Sequence, residues 1–294
     1  MGLEMKSNKR NKEHCQLTKD NNNNSNSFPN ANATISANSS PRKSRRRNRK
    51  MSMTPVQRLF ETCKGVFSSG GPGNVPSPEH IKKLQAVLDE FKPGDVGLTP
   101  NMPYFRPTIG QRTPEITYLH LYKCDQFSIG IFCLPPSGVL PLHNHPGMTV
   151  FSKLLFGTLH IKSFDWVADA PCVSDVMNSE GKNPDIRLAK LKVDSDFIAP
   201  CDTSILYPSD GGNLHCFTAV TQCAVLDVLG PPYSDPDGRH CTYYYDFPYP
   251  KFSVKAVSVP EGEEEGYAWL QEREEPEDLA LVAALYRGPQ IVDK

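Results

Sequence analysis

Three histidines are the residues of this chain whose spacing could hold a metal ion. His143 and His145 stand two apart within residues 138–149, and His215 ends the string Gly211-Gly-Asn-Leu-His. In an extended strand, residues two apart point to the same face, so both imidazoles could bind one ion. Three neutral imidazoles leave the charge of a divalent ion uncompensated, which favours an anionic ligand such as a thiolate at the open positions. The spacing suits a zinc centre that activates water as well as iron(II), and it does not choose between them.

The other histidines do not share this pattern. A lone buried histidine is ordinarily satisfied by a hydrogen bond. We expect that role for the five that remain, which are His14, His80, His120, His160 and His240.

Charge is distributed unevenly along the chain of 294 residues, whose formal net charge is −1. Residues 1–60 carry 13 lysines and arginines against 3 acidic residues, a net charge near +10. Residues 61–294 carry 19 against 30, a net charge near −11. We therefore expect acidic partners for the first segment and cationic ones for the rest. The hydrophobic content of 38% is enough for one ordinary core.

Targeting and redox signals point to a soluble intracellular protein. The chain has no run of 18 apolar residues and no apolar signal-peptide region near its start, so we expect no membrane association. Its nine cysteines are odd in number and form no Cys-x-x-Cys pair. This pattern predicts reduced thiols rather than disulfides or a zinc ribbon.

The first segment, residues 1–53, is predicted to be a disordered basic tail because it is rich in Asn, Ser, Lys and Arg and poor in apolar side chains. Residues 41–50 contain seven basic residues in ten, which suits a nuclear import receptor or a nucleic-acid patch. No aromatic residue interrupts the run, so we expect no direct nucleic-acid binding. The alternative is a solvated tail without a specific use. We expect the protein in both nucleus and cytoplasm.

Residues 54–294 are predicted to form one mainly β domain with helices packed outside it. Thr54-Pro55 and Ser77-Pro78 each supply a helix cap and a first-turn proline, and the glycine-rich residues 68–74 between the two helices lack the Gly-Lys-Ser/Thr of a phosphate loop. A long loop is predicted over residues 167–185. A final short helix is predicted from Pro276 through Leu285, with Leu279, Val282 and Leu285 on one face. Strands are predicted near residues 116–123, 126–134, 139–145, 148–156, 158–165, 186–193, 203–207, 214–220, 222–229 and 241–247.

The region around the histidines resembles the two motifs of the cupins, which implies a double-stranded β-helix, or jelly-roll barrel. The matching residues are Gly138, His143, His145 and Gly157 in the first motif and Gly212 and His215 in the second. Two positions depart from the pattern. Thr149 stands where most metal-binding cupins have a glutamate ligand, and Ala219 stands where the second motif usually has Asn.

Longer strings resemble the plant cysteine oxidases, which belong with cysteamine dioxygenase among the thiol dioxygenases. The similarity covers about residues 55–290 and is carried by the strings at 143–150, 156–166, 226–234 and 241–246. It implies a non-haem Fe(II) enzyme that uses O₂ to convert the N-terminal cysteine of a protein to its sulfinic acid. The product would enter the arginylation branch of the N-degron pathway, through which plants sense oxygen by way of hypoxia-response transcription factors.

The same resemblance assigns roles within the site. It implies that His143, His145 and His215 are the iron ligands. Asp227 would hold the substrate ammonium or orient a ligand histidine, unless it is only a strand-end cap. Tyr233 would hydrogen-bond the bound oxygen or substrate, unless it is only a packed aromatic. Two further residues, Cys241 and Tyr243, match the positions of a crosslink proposed in the animal relative, for which packing is the simpler interpretation.

Three hypotheses follow, in this order. The first is an O₂-dependent N-terminal cysteine dioxygenase, which we expect to be a monomer. The second is another cupin enzyme that uses zinc or acts on free thiols. The third is a non-catalytic nuclear binding protein, which the basic tail favours and the intact histidine trio disfavours.

Overall fold

A computed structural model describes residues 53–68, 70–106, 113–168, 186–251 and 259–294. The helices of this part of the chain are α1 (Pro55–Val66) and α2 (Pro78–Asp89). The strands are β1 (Ile116–Lys123), β2 (Ser128–Leu134), β3 (Val139–Asn144), β4 (Thr149–Phe156), β5 (Thr158–Trp166), β6 (Ile186–Ile198), β7 (Ser204–Leu206), β8 (Leu214–Ala219), β9 (Cys223–Gly230), β10 (Tyr243–Pro248), β11 (Tyr267–Arg273) and β12 (Leu281–Ala284). Short 3₁₀ turns lie between some of these elements.

Both predicted helices begin where the sequence places them. The Thr54 hydroxyl accepts a hydrogen bond from the backbone N–H of Gln57 at 3.1 Å and so caps α1. Ser77 caps α2 in the same way, by accepting from the backbone N–H of His80 at 3.3 Å. The N–H groups in the first turn of a helix have no partner within the helix, so a proline, which has no N–H, loses no hydrogen bond there. This preference allows both helix starts to be predicted from the sequence.

All ten predicted strands are present, with ends that shift by a few residues, but the prediction for the C-terminal region is wrong. The expected helix from Pro276 through Leu285 is instead an extended segment that contains β12, which pairs in parallel with β1. Leu285 is 73% exposed, so the expected apolar helical face is not buried. The free edge of β1 supplies hydrogen-bond partners that a local spacing pattern does not reveal. The preceding strand β11 was not predicted either.

The strands form a jelly roll around the hairpin of β5 and β6. Proceeding outward from that hairpin, β4 pairs with β7, β3 with β8, and β2 with β9, all antiparallel. One sheet has the order β12-β1-β2-β9-β4-β7, and the other, β10-β11-β6-β5-β8-β3, closes into a barrel through a pair between β10 and β3. Two antiparallel runs wound together in this way are the double-stranded β-helix of the cupins, as predicted.

Strand β9 shows how the core is divided between two sides of the first sheet. Leu226 and Val228 pack with the residues of α1 and α2 in the larger core. Cys223 and Val225 belong to a second core shared with Phe217 of the opposite sheet. Because side chains alternate along a strand, Asp227 points with Val225 into the space between the sheets.

Some predictions fall outside the described residues. These are the disordered tail, except for Met53, and most of the long loop, residues 169–185. Within the described ranges, none of the helices combines the length and apolar character that a membrane crossing demands.

Candidate metal centre

The three predicted histidines meet at one end of the barrel. His143 on β3 lies opposite His215 on β8, and His145 follows directly after the end of β3. Their ring centroids are 4.7 to 4.9 Å apart, and their potential ligand nitrogens all lie within 4.8 Å of one another. His215 also stacks on Phe217, so the trio lies at the border of the core between the sheets. In the part of the chain that the structure describes, this is the one group of side chains suited to a metal ion.

Hydrogen bonds to two of the imidazoles fix which nitrogen faces the centre. The Nδ1 of His143 lies 2.7 Å from the carbonyl oxygen of Pro141, to which it must donate. The Tyr233 hydroxyl donates to the carbonyl oxygen of Asn144 at 2.7 Å, so it accepts from the Nδ1 of His145 at 3.0 Å. With a proton on Nδ1, both rings offer an unprotonated Nε2. The Nε2 atoms of His145 and His215 are 3.4 Å apart, a spacing suited to ligands of one ion.

All three imidazoles are held in the neutral form that binds metals. Burial lowers the pKa of His143, against the effect of its hydrogen bond to Pro141. Burial, followed by repulsion from the neighbouring histidines, brings the pKa of His145 and His215 well below the usual value. A metal ion therefore need not displace protons from these nitrogens near neutral pH.

Two residues that sequence reasoning missed position the backbone around the trio. Asn213 accepts from the backbone N–H of His145 at 3.1 Å and donates to its carbonyl oxygen at 2.9 Å. Asp165 on β5 accepts from the backbone N–H groups of Gly212 and Asn213, each at 2.9 Å. Asp165 thus holds the turn before β8, and Asn213 ties that turn to His145. The sequence of β5 does not single out Asp165, because the strand also contains Thr158, His160, Lys162 and Ser163.

The structure places Tyr233 beside one of the three histidines rather than with its hydroxyl free. The hydroxyl is engaged by Asn144 and His145, and its ring is 5.5 Å from that of His145. Burial raises its pKa well above the usual value, so it remains a phenol. In this arrangement Tyr233 orients His145, which differs from the expected hydrogen bond to bound oxygen or substrate.

Cys241 and Tyr243 lie next to this tyrosine. The Cys241 thiol is within hydrogen-bonding reach of the hydroxyls of Tyr233 and Tyr243. Burial raises the pKa of Cys241 to about 11 and raises that of Tyr243 as well. Both groups are therefore protonated at neutral pH.

Asp227 lies within the facing sheet, in the middle of β9, and is paired with Gly130 of β2 and Ser152 of β4. This position does not suit a strand-end cap. The side chain is 5% exposed, and its Oδ1 has no hydrogen-bond partner among the described residues. Burial raises its pKa to about 7, against a hydrogen bond from Ser152 that lowers it. A buried carboxyl with one free oxygen, within electrostatic range of Tyr233, is available to a ligand of the site.

The two departures from the cupin motifs leave the centre without a carboxylate ligand. Thr149 is fully buried and its hydroxyl has no partner among the described residues. Ala219 is buried and brings no polar side chain. Together the fold and site define a cupin with a centre of three neutral histidines and a nearby buried acid.

Comparisons with known proteins agree with this class. The model of the PCO_ADO family matches residues 87–291. Plant cysteine oxidase 2 of Arabidopsis thaliana is 65% identical over 251 residues, which cover 85% of this chain and 88% of the relative. Plant cysteine oxidase 1 of the same species is 64% identical, with 82% of each chain covered. The 2-aminoethanethiol dioxygenase of Homo sapiens is 29% identical, with 73% of this chain and 82% of the relative covered. The chain belongs to the PCO_ADO family and is a cupin thiol dioxygenase, an oxidoreductase.

Proposed function

We propose that this protein is an Fe(II)-dependent dioxygenase that converts the N-terminal cysteine of protein substrates to cysteine sulfinic acid. The observation that carries the proposal is the pairing of three neutral histidines with the buried carboxyl of Asp227. The relatives named plant cysteine oxidase, at 64–65% identity, support cysteine as the substrate.

The donor set fits iron(II). Three imidazoles on one side of an ion leave adjacent positions open, and the absence of a carboxylate ligand among the described residues favours an anionic substrate group. A cysteine at the start of a chain offers a thiolate and an amine side by side, and metal binding would remove the thiol proton, whose free pKa is about 8.5. Iron(II) bound here would supply the template and pass electrons from sulfur to O₂, so that one thiol and one O₂ give one sulfinic acid with both oxygen atoms on sulfur.

The protein side chains have separate tasks in this proposal. Tyr233 and the carbonyl of Pro141 keep His145 and His143 in the tautomer with Nε2 toward the metal. Asp227, with an oxygen that has no described partner, accepts a hydrogen bond from the substrate amine. This contact favours a free α-amino group next to the thiol, so an internal cysteine should be a poor substrate.

The proposal extends to a biological role. A sulfinic acid at the N-terminus would serve the arginylation branch of the N-degron pathway, and the need for O₂ would make the half-life of the substrate protein depend on oxygen. Hypoxia-response transcription factors with an N-terminal cysteine are the substrates that the family resemblance supports. We propose that the basic run at residues 41–50 binds an import receptor, with the protein in nucleus and cytoplasm.

Mass spectrometry of a Cys-initiated peptide tests the reaction. The iron-loaded protein should add two oxygen atoms to the first residue in air, and both should come from isotopically labelled O₂. Free cysteine and 2-aminoethanethiol serve as competing substrates, and the His215→Ala protein serves as the inactive control. Faster oxidation of a free small thiol than of the peptide, or full activity with zinc, would contradict the proposal.

A further inference from the structure

Tyr118 has no assigned role, yet its side chain lies beside Asp227. It stands on β1, and its ring packs against Phe132 of β2 with ring centroids 5.0 Å apart. Ile116, two residues earlier, belongs to the core between the sheets. Because residues two apart share a face of a strand, the Tyr118 phenol points into the same space.

Gly130 provides the room that this phenol occupies. It lies opposite Asp227 in the pairing of β2 with β9, where side chains of directly opposed residues are neighbours on one face. A Cβ atom at Gly130 would collide with the ring and hydroxyl of Tyr118. The hydroxyl therefore lies next to the Asp227 carboxyl. Consistent with this, burial and then the charge of Asp227 raise the pKa of Tyr118 to about 12.

Two oxygen atoms with unused acceptor capacity are thus brought together at the site. The Oδ1 of Asp227 has no partner among the described residues. The Tyr118 hydroxyl likewise makes no hydrogen bond to any residue of the described ranges. A buried carboxylate oxygen is normally satisfied, so a ligand that brings one donor to Asp227 and a second to the neighbouring phenol is the natural complement.

We propose that Tyr118 and Asp227 together accept the N–H groups of the substrate's α-amino group, which makes Tyr118 a substrate-binding residue. The inference rests on the proposed function. An α-amino group that gave its lone pair to the metal would keep two N–H groups, and the two acceptors match that number. An acetylated or internal cysteine has one amide N–H, which leaves one acceptor without a donor and lowers affinity. The two acceptors, on the sheet that faces the histidines, then select substrates that have a free N-terminus.

The experiment compares Tyr118→Phe with wild type and with Tyr122→Phe as the matched control. Tyr122 is on the same strand but packs against Phe60 outside the barrel and donates to Asp293 at 2.7 Å. Iron-loaded protein under nitrogen is titrated with a Cys-initiated peptide labelled at its C-terminus, and affinity is read from fluorescence anisotropy. A second titration uses the same peptide with a methyl group on the α-nitrogen, which removes one N–H.

Wild type should bind the methylated peptide about five- to tenfold more weakly, the usual effect of one hydrogen bond. Tyr118→Phe should bind the unmethylated peptide more weakly by a similar factor, and the penalty for methylation should shrink to about twofold, because the two changes remove the same contact. Tyr122→Phe should match wild type with both peptides. Gly130→Ala, which displaces the phenol, should resemble Tyr118→Phe if its melting curve shows a folded protein.

An equal methylation penalty in wild type and Tyr118→Phe would overturn the role of Tyr118. Aerobic kcat/KM values for peptide oxidation separate this result from a failure of the proposed function. If wild type does not oxidise the Cys-initiated peptide, the proposed function is wrong. If wild type oxidises it and Tyr118→Phe does so equally well, only the inference about Tyr118 is wrong.

Discussion

Replacing Asp227 with Asn should make the metal-free protein more stable and the enzyme less active. Burial raises the pKa of Asp227 from 3.8 to about 7. Each pKa unit corresponds to about 1.36 kcal/mol, so ionising this carboxyl inside the fold costs at most about 4 kcal/mol. Asn has nearly the same shape and does not ionise, so the variant avoids this cost.

The sign of the pH dependence follows from proton binding. Between the unfolded pKa and the folded pKa, the unfolded chain releases its proton while the folded chain keeps it. The folded state then binds more protons, so its stability falls as pH rises through this window. The gain from Asp227→Asn should therefore be absent below pH 4, reach about 2 kcal/mol at pH 5, and approach its full value above pH 7.

Urea unfolding of the metal-free proteins at pH 5 and pH 8 measures this difference. Asp165→Ala is the control, because Asp165 is also buried but accepts two backbone N–H groups, and alanine leaves both without an acceptor, so it should destabilise at both values of pH. Asp227→Asn should also retain iron and lose peptide-oxidising activity. If it is no more stable than wild type at pH 8, or if it turns over normally, the reasoning about this carboxyl is wrong.

Four further outcomes are expected. Changing any of the three histidines to Ala should remove bound iron and activity together by elemental analysis and peptide oxidation, whereas His160→Ala, at an exposed contact with Asp194 and Asp196, should keep both. Tyr233→Phe should weaken iron binding about 10- to 100-fold in an anaerobic chelator competition, and an unchanged affinity would show that the hydroxyl does not orient His145. Acetylating the substrate amine, or placing Met before the cysteine, should abolish oxidation seen by mass spectrometry. A protein that starts at Met53 should oxidise the peptide at the wild-type rate. Fused to a large fluorescent protein, it should lose nuclear enrichment; if the enrichment is retained, the basic run at residues 41–50 has no role in import.

The sequence predicted the elements whose signals are local. The caps at Thr54 and Ser77 and the ten strands depend on neighbours within a few residues, and they are present. The error over residues 276–285 arose because an apolar spacing of three suits a helix and says nothing about an open strand edge. β12 forms because β1 offers that edge, a partner that lies more than 150 residues away in sequence.

The histidine trio was predictable for a similar reason, since His143 and His145 stand two apart at the end of β3 and His215 ends a short motif. The residues that surround these histidines could not be predicted from the sequence. Asp165 and Tyr118 are placed by strand register, which depends on pairing across the whole barrel, and Asn213 is placed by the turn before β8. The contact between Tyr233 and His145 also joins residues 88 positions apart.

Register also explains why polar residues face each other across an otherwise apolar barrel. On β9, Asp227 occupies a core position between Val225 and Leu229, where an apolar side chain would stabilise the fold. The row across the sheet continues through Gly130 on one side and Ser152 on the other, and neither brings a large apolar group. Such a row lowers stability, because it buries an acid with one unsatisfied oxygen and leaves a position without a side chain. The row points into the space between the sheets that the three histidines border, so the residues that weaken the core also provide the acceptors that we propose for a substrate amine.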